Sequence, residues 1–237
     1  ASVDAPFYGE TAESMVVNLK KHVKPNIIGL NPLNHTDVLR VINQNLPFNN
    51  HTFTISAIDM ALWDLKGKIM NTPLYNLLGG KINEGIKLMG FVHHDTPSEM
   101  ANHAKEIIKN KQYKVLKMKI GMDPSDDIKR YKAVIDAIDD DVCIPVAGNT
   151  GYTIDQALPT LKIMEDLGKL GAIEQPVYRN KDMSTLARHL NTPIMADEAI
   201  YGPIDAIDVI DNNSASLALM KISKHGGITS VNNIGSI

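Results

Sequence analysis

VLKMKIG, residues 115–121, is the stretch on which the fold turns. It is a short, largely apolar run of strand length, yet Lys117 and Lys119 interrupt it two residues apart, so on a strand both side chains leave by the same face. Runs of the same kind recur on either side of it. IKLMGFV starts at Ile86, VCIPVAG at Val142, GAIEQPV at Gly171, PIMADEA at Pro193 and ALMKIS at Ala218. Helical patterns fall between them, near 97–110, 126–138, 153–167, 182–190 and 203–212, with Pro159 expected to start or kink the third. Strict alternation of buried strands and helices predicts parallel pairing through right-handed crossovers. A doubly wound sheet and a barrel both satisfy that pattern. The first strand runs into FVHHDTPSE, residues 91–99, without the glycine-rich phosphate loop of dinucleotide folds, which favours a TIM-type β/α barrel.

Upstream the rhythm is helical. A helix is expected over 11–26, ended by Pro25, and another over 35–44. The 52–70 stretch spaces Ile55, Ile58, Leu62, Leu65 and Ile69 by three and four, predicting one wide apolar stripe with Trp63 in the core. Asn71, Thr72 and Pro73 stop it, and Gly79-Gly80 breaks the chain after a short PLYNLL turn. The expected division is therefore a helical domain over 1–80 and six barrel strands over 81–237.

Composition narrows the function classes. The chain has 237 residues, 43% hydrophobic and 22% charged, which suits a globular domain with a sizeable core. Its net charge of -3 comes from 24 basic and 27 acidic residues without a basic run, so nucleic acid is not the expected partner. The single cysteine, Cys143, can form no internal disulfide and sits in an apolar run, which points to strand packing and a reducing, cytoplasmic setting. No apolar stretch reaches the roughly 20 residues that span a bilayer, so no membrane partner is expected.

Charged residues occupy successive strand ends. Lys117 and Lys119 end the second run, Glu174 the fourth, Asp197 and Glu198 the fifth, and Lys221 the sixth. Glu174, Asp197 and Lys221 stand 23 and 24 residues apart, about one β/α unit each, which places them at equivalent depth. Any one of them is ordinarily solvated surface; charges that repeatedly interrupt apolar strands are costly to bury without partners. Together they provide oxygen ligands for a hard cation such as Mg²⁺, faced by two lysines. Such a cation stabilises the enolate-like species left when a carbon acid beside a carboxylate loses its proton. A lysine amine serves as the base where burial and neighbouring positive charge lower its pKa.

The motifs KMKIG (117–121), GNTGYT (148–153), IEQP (173–176), ADEA (196–199) and KISKHGG (221–227) resemble, in order, the strand ends of the mandelate racemase and muconate lactonizing enzyme family of the enolase superfamily. AIDMALWDLKGK followed by PLYNLLGG is similar to the end of that family's α+β capping domain. The resemblance implies Lys119 and Lys221 as bases on opposite faces of a small carboxylate substrate and Lys117 as a holder of its carboxylate. It implies Glu174 and Asp197 as Mg²⁺ ligands, with Glu198 a supporting acid. Paired lysines suit racemisation or epimerisation, with an amino-acid derivative as the expected substrate. One working lysine suits dehydration or cycloisomerisation. A homo-oligomer is also implied.

Two departures follow. Relatives read Val-Asp-x-Asn at the third strand, where this chain has Val146-Ala147-Gly148-Asn149. Ala147 cannot ligate; Asn149 offers a neutral oxygen, so metal affinity is low or the site was deliberately inactivated, leaving a catalytically silent barrel as the alternative. By the same resemblance the chain begins after the cap's strands and stops past the sixth barrel strand, and residues are expected beyond both ends. Weaker candidates are His93 and His94 after the first strand, and Tyr152 and His225 beside the motifs.

Overall fold

The structure is a computed structural model that describes residues 8–46, 51–111 and 113–237. The chain packs as two compact units. One takes in the chain up to Gly85 together with Tyr201–Pro203 and Met220–Ile237; the other is Ile86–Ile200 with Ile204–Leu219.

In the first unit, α1 (Ala12–Val17) opens with a capping box in which Thr11 and Ser14 each accept from the other's backbone N–H. A π-helical stretch, Asn18–Val23, then leads into α2 (Lys24–Ile27). Pro25 was expected to end this helix. It lies instead in the first turn of α2, where its missing N–H leaves nothing unpaired. Next come α3 (His35–Asn45), α4 (Thr52–Ile69) and the short α5 (Leu74–Leu77). Leu62 of α4 joins Val23, Val38, Ile42 and Leu46 in one core cluster, with Ile55 and Ile58 packed against it. The expected stripe stops there, since Leu65 and Ile69 are exposed. The other side of α4 buries polar groups, because Ser56 and Asp59 bond to the 222–229 segment. Trp63 is half-buried and not core, its Nε1–H donating to Thr229 Oγ1 at 2.9 Å.

The second unit is the β/α part. Its strands are β1 (Gly90–Val92), β2 (Leu116–Lys119), β3 (Ile144–Ala147), β4 (Leu170–Glu174), β5 (Ile194–Ala196) and β6 (Leu217–Ala218). They form one parallel sheet in chain order, with α6 (Pro97–Lys111), α7 (Pro124–Ile135), α8 (Ile154–Leu167), α9 (Asn180–His189) and α10 (Pro203–Asp211) between them. This is the strand order of a TIM-type β/α barrel over its first six units. β2 and β3 are almost wholly buried, as a sheet covered on both faces requires.

Three expectations change. β1 starts at Gly90, not Ile86, because only Gly90–Val92 find partners on β2; Ile86 and Leu88 precede the pairing and are exposed. α8 starts from a Thr153–Gln156 capping box and contains Pro159, so of the two expected roles the proline does not start the helix. β6 ends at Ala218, so Lys221 lies in the turn three residues beyond it. A further helix, α11 (Ile228–Ile234), follows that turn.

Glu165 on α8 ties the approach to β5. It accepts from Asn191 N (2.8 Å), Thr192 N (2.7 Å), Thr192 Oγ1 (2.8 Å) and Lys162 Nζ (2.8 Å). Burial raises its pKa, but Lys162 and the Thr192 and Asn191 donors outweigh that and hold it at about 2, against an ordinary 4.5. A depressed carboxylate stabilises the fold fully above its unfolded pKa, and that stabilisation is lost as pH falls toward the folded value. The gap in thermal midpoint between the native chain and Glu165→Gln is therefore expected to be widest near neutrality and to close between about pH 4.5 and pH 2. A gap independent of pH would show that the carboxylate's charge contributes nothing.

Candidate active site

Strand register brings the chemistry into a row. Lys119 pairs with Ala147, Ala147 with Glu174, and Glu174 with Met195. Residues in register on adjacent parallel strands project from the same face, so Lys119, Ala147 and Glu174 share one level at the C-terminal edge of the sheet. Lys117, one pleat repeat below Lys119, is buried and ion-paired with Glu174, and its amine also lies 5.9 Å from the Phe91 ring centroid. Lys119 is exposed and donates to Asn149 Oδ1, while Asn149 Nδ2 donates to Glu198 Oε1 at 2.7 Å. Asp197 is fully buried directly after β5. The sheet thus brings Lys117, Lys119, Asn149, Glu174, Asp197 and Glu198 onto neighbouring strand ends. Lys221 belongs to the other unit, where its amine meets Tyr8 OH at 2.7 Å.

The loops behind these residues are held by groups that the strand-end pattern did not flag. Gln175, fully buried, accepts from Asp197 N (2.9 Å) and Ala199 N (3.0 Å) and donates to Val177 O (3.1 Å). It thereby fixes the β5 loop against the end of β4. Asp127 on α7, also fully buried, accepts from Gly121 N (3.0 Å), Met122 N (3.1 Å) and Tyr152 OH (2.6 Å), joining the loops after β2 and β3. Burial and the hydrogen bond to Asp127 hold the Tyr152 phenol well above its ordinary range, which makes this tyrosine a structural donor. Those two loops touch at backbone level: a Cβ on Gly151 would lie 2.1 Å from Gly121 O. Asn149, Thr150 and Gln175 all take positive φ (44°, 64° and 36°), so backbone strain gathers where the side chains converge.

Among the weaker candidates, His93 stacks on His103 of α6 at 4.7 Å between centroids and donates its backbone N–H to His103 Nδ1. His225 Nδ1 lies 2.7 Å from Lys221 O, a packing role within the turn. Cys143 is free and forms a bridge to Val115 just before β3.

The family described as "Mandelate racemase / muconate lactonizing enzyme, N-terminal domain" matches residues 3–79, and "Enolase C-terminal domain-like" matches residues 99–237. The chain is 31% identical over 223 residues to the L-Ala-D/L-Glu epimerase of Clostridium acetobutylicum, covering 93% of this chain and 61% of that protein. It is 32% identical over 224 residues to the N-succinyl-L-Arg/Lys racemase of Bacillus cereus, covering 93% and 59%. Among solved structures, the Bacillus cereus N-succinyl Arg/Lys racemase superposes with a TM-score of 0.94 at 28% identity, over 99% of this chain and 63% of that one. The dipeptide epimerase of Cytophaga hutchinsonii, complexed with Mg and D-Ala-L-Val, gives 0.90 at 27% identity over 97% and 62%. The chain belongs to the mandelate racemase and muconate lactonizing enzyme family of the enolase superfamily. It spans about three fifths of the length of these relatives.

The donor set fits a divalent cation only weakly. In its favour, Glu198 Oε2 is buried without a hydrogen-bond partner, and such an acceptor is satisfied by a cation. Against it, Ala147 places a methyl group between Lys119 and Glu174, and Glu174 is already paired with Lys117. Among the described residues no three His, Cys, Asp or Glu side chains are grouped closely enough to hold a metal ion. No helix among them is long and apolar enough to cross a membrane.

Proposed function

We propose that this protein removes the α-proton of a small carboxylate substrate through an enolate intermediate, acting as a racemase or epimerase of an amino-acid derivative. The observation that carries the reading is the register row, which sets an exposed lysine amine at the level of Glu174 and ties it through Asn149 to Glu198. Its relatives named as epimerases and racemases of amino-acid derivatives support the substrate class.

In this reading Lys119 takes the α-proton on one face and Lys221 returns one on the other. Asn149 orients the Lys119 amine by accepting its hydrogen bond. Lys117 has three donors, so pairing with Glu174 leaves two for a substrate carboxylate. Glu174 and Asp197, with Glu198 and Asn149 alongside, would be the residues to hold Mg²⁺, which would supply positive charge near the substrate carboxylate.

The test is α-proton loss followed by NMR in D₂O with Mg²⁺, using N-acyl and N-methyl amino acids and hydroxy acids. Exchange is expected with the native chain or with Ala147→Asp, and Lys119→Ala is expected to slow it about 10²- to 10⁴-fold. Inversion at the α-carbon marks an epimerase; loss of water or ring closure marks a dehydratase or cycloisomerase. A second reading, a catalytically silent barrel, is favoured by Ala147 specifically. It gains if neither form exchanges any substrate while Ala147→Asp binds metal.

A further inference from the structure

The first turn of α4 gathers two distant segments around Lys221. Glu10 is buried, and its Oε2 accepts from Phe53 N (2.8 Å) and Thr54 N (3.1 Å) while its Oε1 accepts from Thr54 Oγ1 (2.5 Å). N–H groups at a helix start have no intrahelical partner, so a carboxylate supplied from more than forty residues earlier in the chain pins its own segment there. Tyr8, two residues before Glu10, is held with it, its ring 5.7 Å from that of Phe53. One turn along α4, Ser56 Oγ donates to Ile222 O at 3.3 Å and fastens the turn that carries Lys221. The two segments therefore meet with Tyr8 OH 2.7 Å from Lys221 Nζ, and with the same nitrogen 5.3 Å from the Tyr8 ring centroid.

We infer that Tyr8 is a positioning residue for the Lys221 amine, an inference that rests on the acid–base role proposed above for Lys221. A lysine side chain has four rotatable carbons and about 2 kcal/mol of rotamer entropy, whereas proton transfer requires its nitrogen within hydrogen-bond reach of the carbon acid. Tyrosine is stiff, and here Glu10 anchors the chain two residues on while the ring packs against Phe53. Its hydroxyl also suits an amine that changes protonation state, because it accepts from an ammonium and donates to a neutral amine. A carboxylate in the same place could only accept. Tyr8 thus holds the nitrogen in one place before and after it gives up its proton.

The test does not need the substrate. Trace acetylation of the folded chain with acetic anhydride, from pH 7 to pH 11 and read by mass spectrometry, reports the reactivity of each lysine against exposed Lys87 as internal reference. Tyr8→Phe keeps the ring and removes the hydroxyl; it is expected to raise Lys221 labelling about threefold or more and to shift its pH profile, with Lys119 unchanged. Tyr8→Leu removes the ring as well and is expected to raise it further. An unchanged or lower Lys221 ratio in Tyr8→Phe, with the thermal midpoint preserved, would overturn the inference. A raised ratio without any α-proton exchange in the substrate screen would leave the Tyr8 contact standing and sink the proposed reaction instead.

Discussion

Lys117→Ala is expected to cost about 3–5 kcal/mol of folding stability, read as a lower urea midpoint at unchanged slope. The size follows from burial. The side chains of Lys117 and Glu174 are only 8% and 4% exposed, so removing the ammonium strands a carboxylate in a place water barely reaches. The pair itself need not be worth that much, since taking two charges out of water offsets most of their attraction. Lys117→Met combined with Glu174→Leu is accordingly expected to recover most of the loss, and the cycle of single and double variants isolates the interaction. A loss under about 1 kcal/mol would mean that water screens the pair as it does at a surface, and the assignment of Glu174 as a buried anion would fail.

Ala147→Asp is expected to turn a weak cation site into a firm one, tightening Mn²⁺ binding on the order of 100-fold in an electron-spin-resonance titration. Ala147 is fully buried and in register with both Lys119 and Glu174, so a carboxylate introduced there leaves the strand beside that of Glu174. Without metal the new charge is a burden, because like charges and desolvation both disfavour it, and the thermal midpoint should fall. With Mg²⁺ at a hundred times its dissociation constant, binding returns about 2.7 kcal/mol, so the midpoint should rise only when metal is added. A variant that folds but binds no more tightly would show that Lys119 or Lys117 claims the added carboxylate, leaving the cation site no stronger than in the native chain.

The two variants probe the same row from opposite sides. Lys117 supplies the positive charge that Glu174 has now, and Ala147 marks where a further negative charge would call for a cation. Which of them governs the site also decides between the catalytic and the silent readings, since an enolate needs one concentrated positive charge close by.

Much of this was legible in the sequence because it is local. Lys119, Glu174 and Asp197 stand out as charges where apolar strands end, and the near-equal spacing of the later ones follows from a repeating β/α unit. Ala147 stands out only through the family resemblance, whose Val-Asp-x-Asn pattern Val146 and Asn149 keep and Ala147 breaks. The strand limits were less legible. Ile86 and Leu88 continue the apolar run that ends in β1, yet pairing begins only at Gly90, and no property of the run itself marks where a partner strand starts. Lys221 extends an apolar run in the same way, but its strand stops at Ala218 and Lys221 belongs to the other unit.

What the sequence determined by itself was the order of elements, the parallel sheet and the residue types at each strand end, because hydrophobic period and chain breaks are set by neighbours a few residues apart. What only the tertiary structure decided was how those residues are held. Gln175 reaches the backbone of residues 197 and 199, Asp127 joins two loops on either side of β3, and Tyr8 meets Lys221 from 213 positions away. Each is a polar side chain whose hydrogen-bond capacity is unspecific until folding brings a partner within about 3 Å, and no pattern along the chain encodes that meeting.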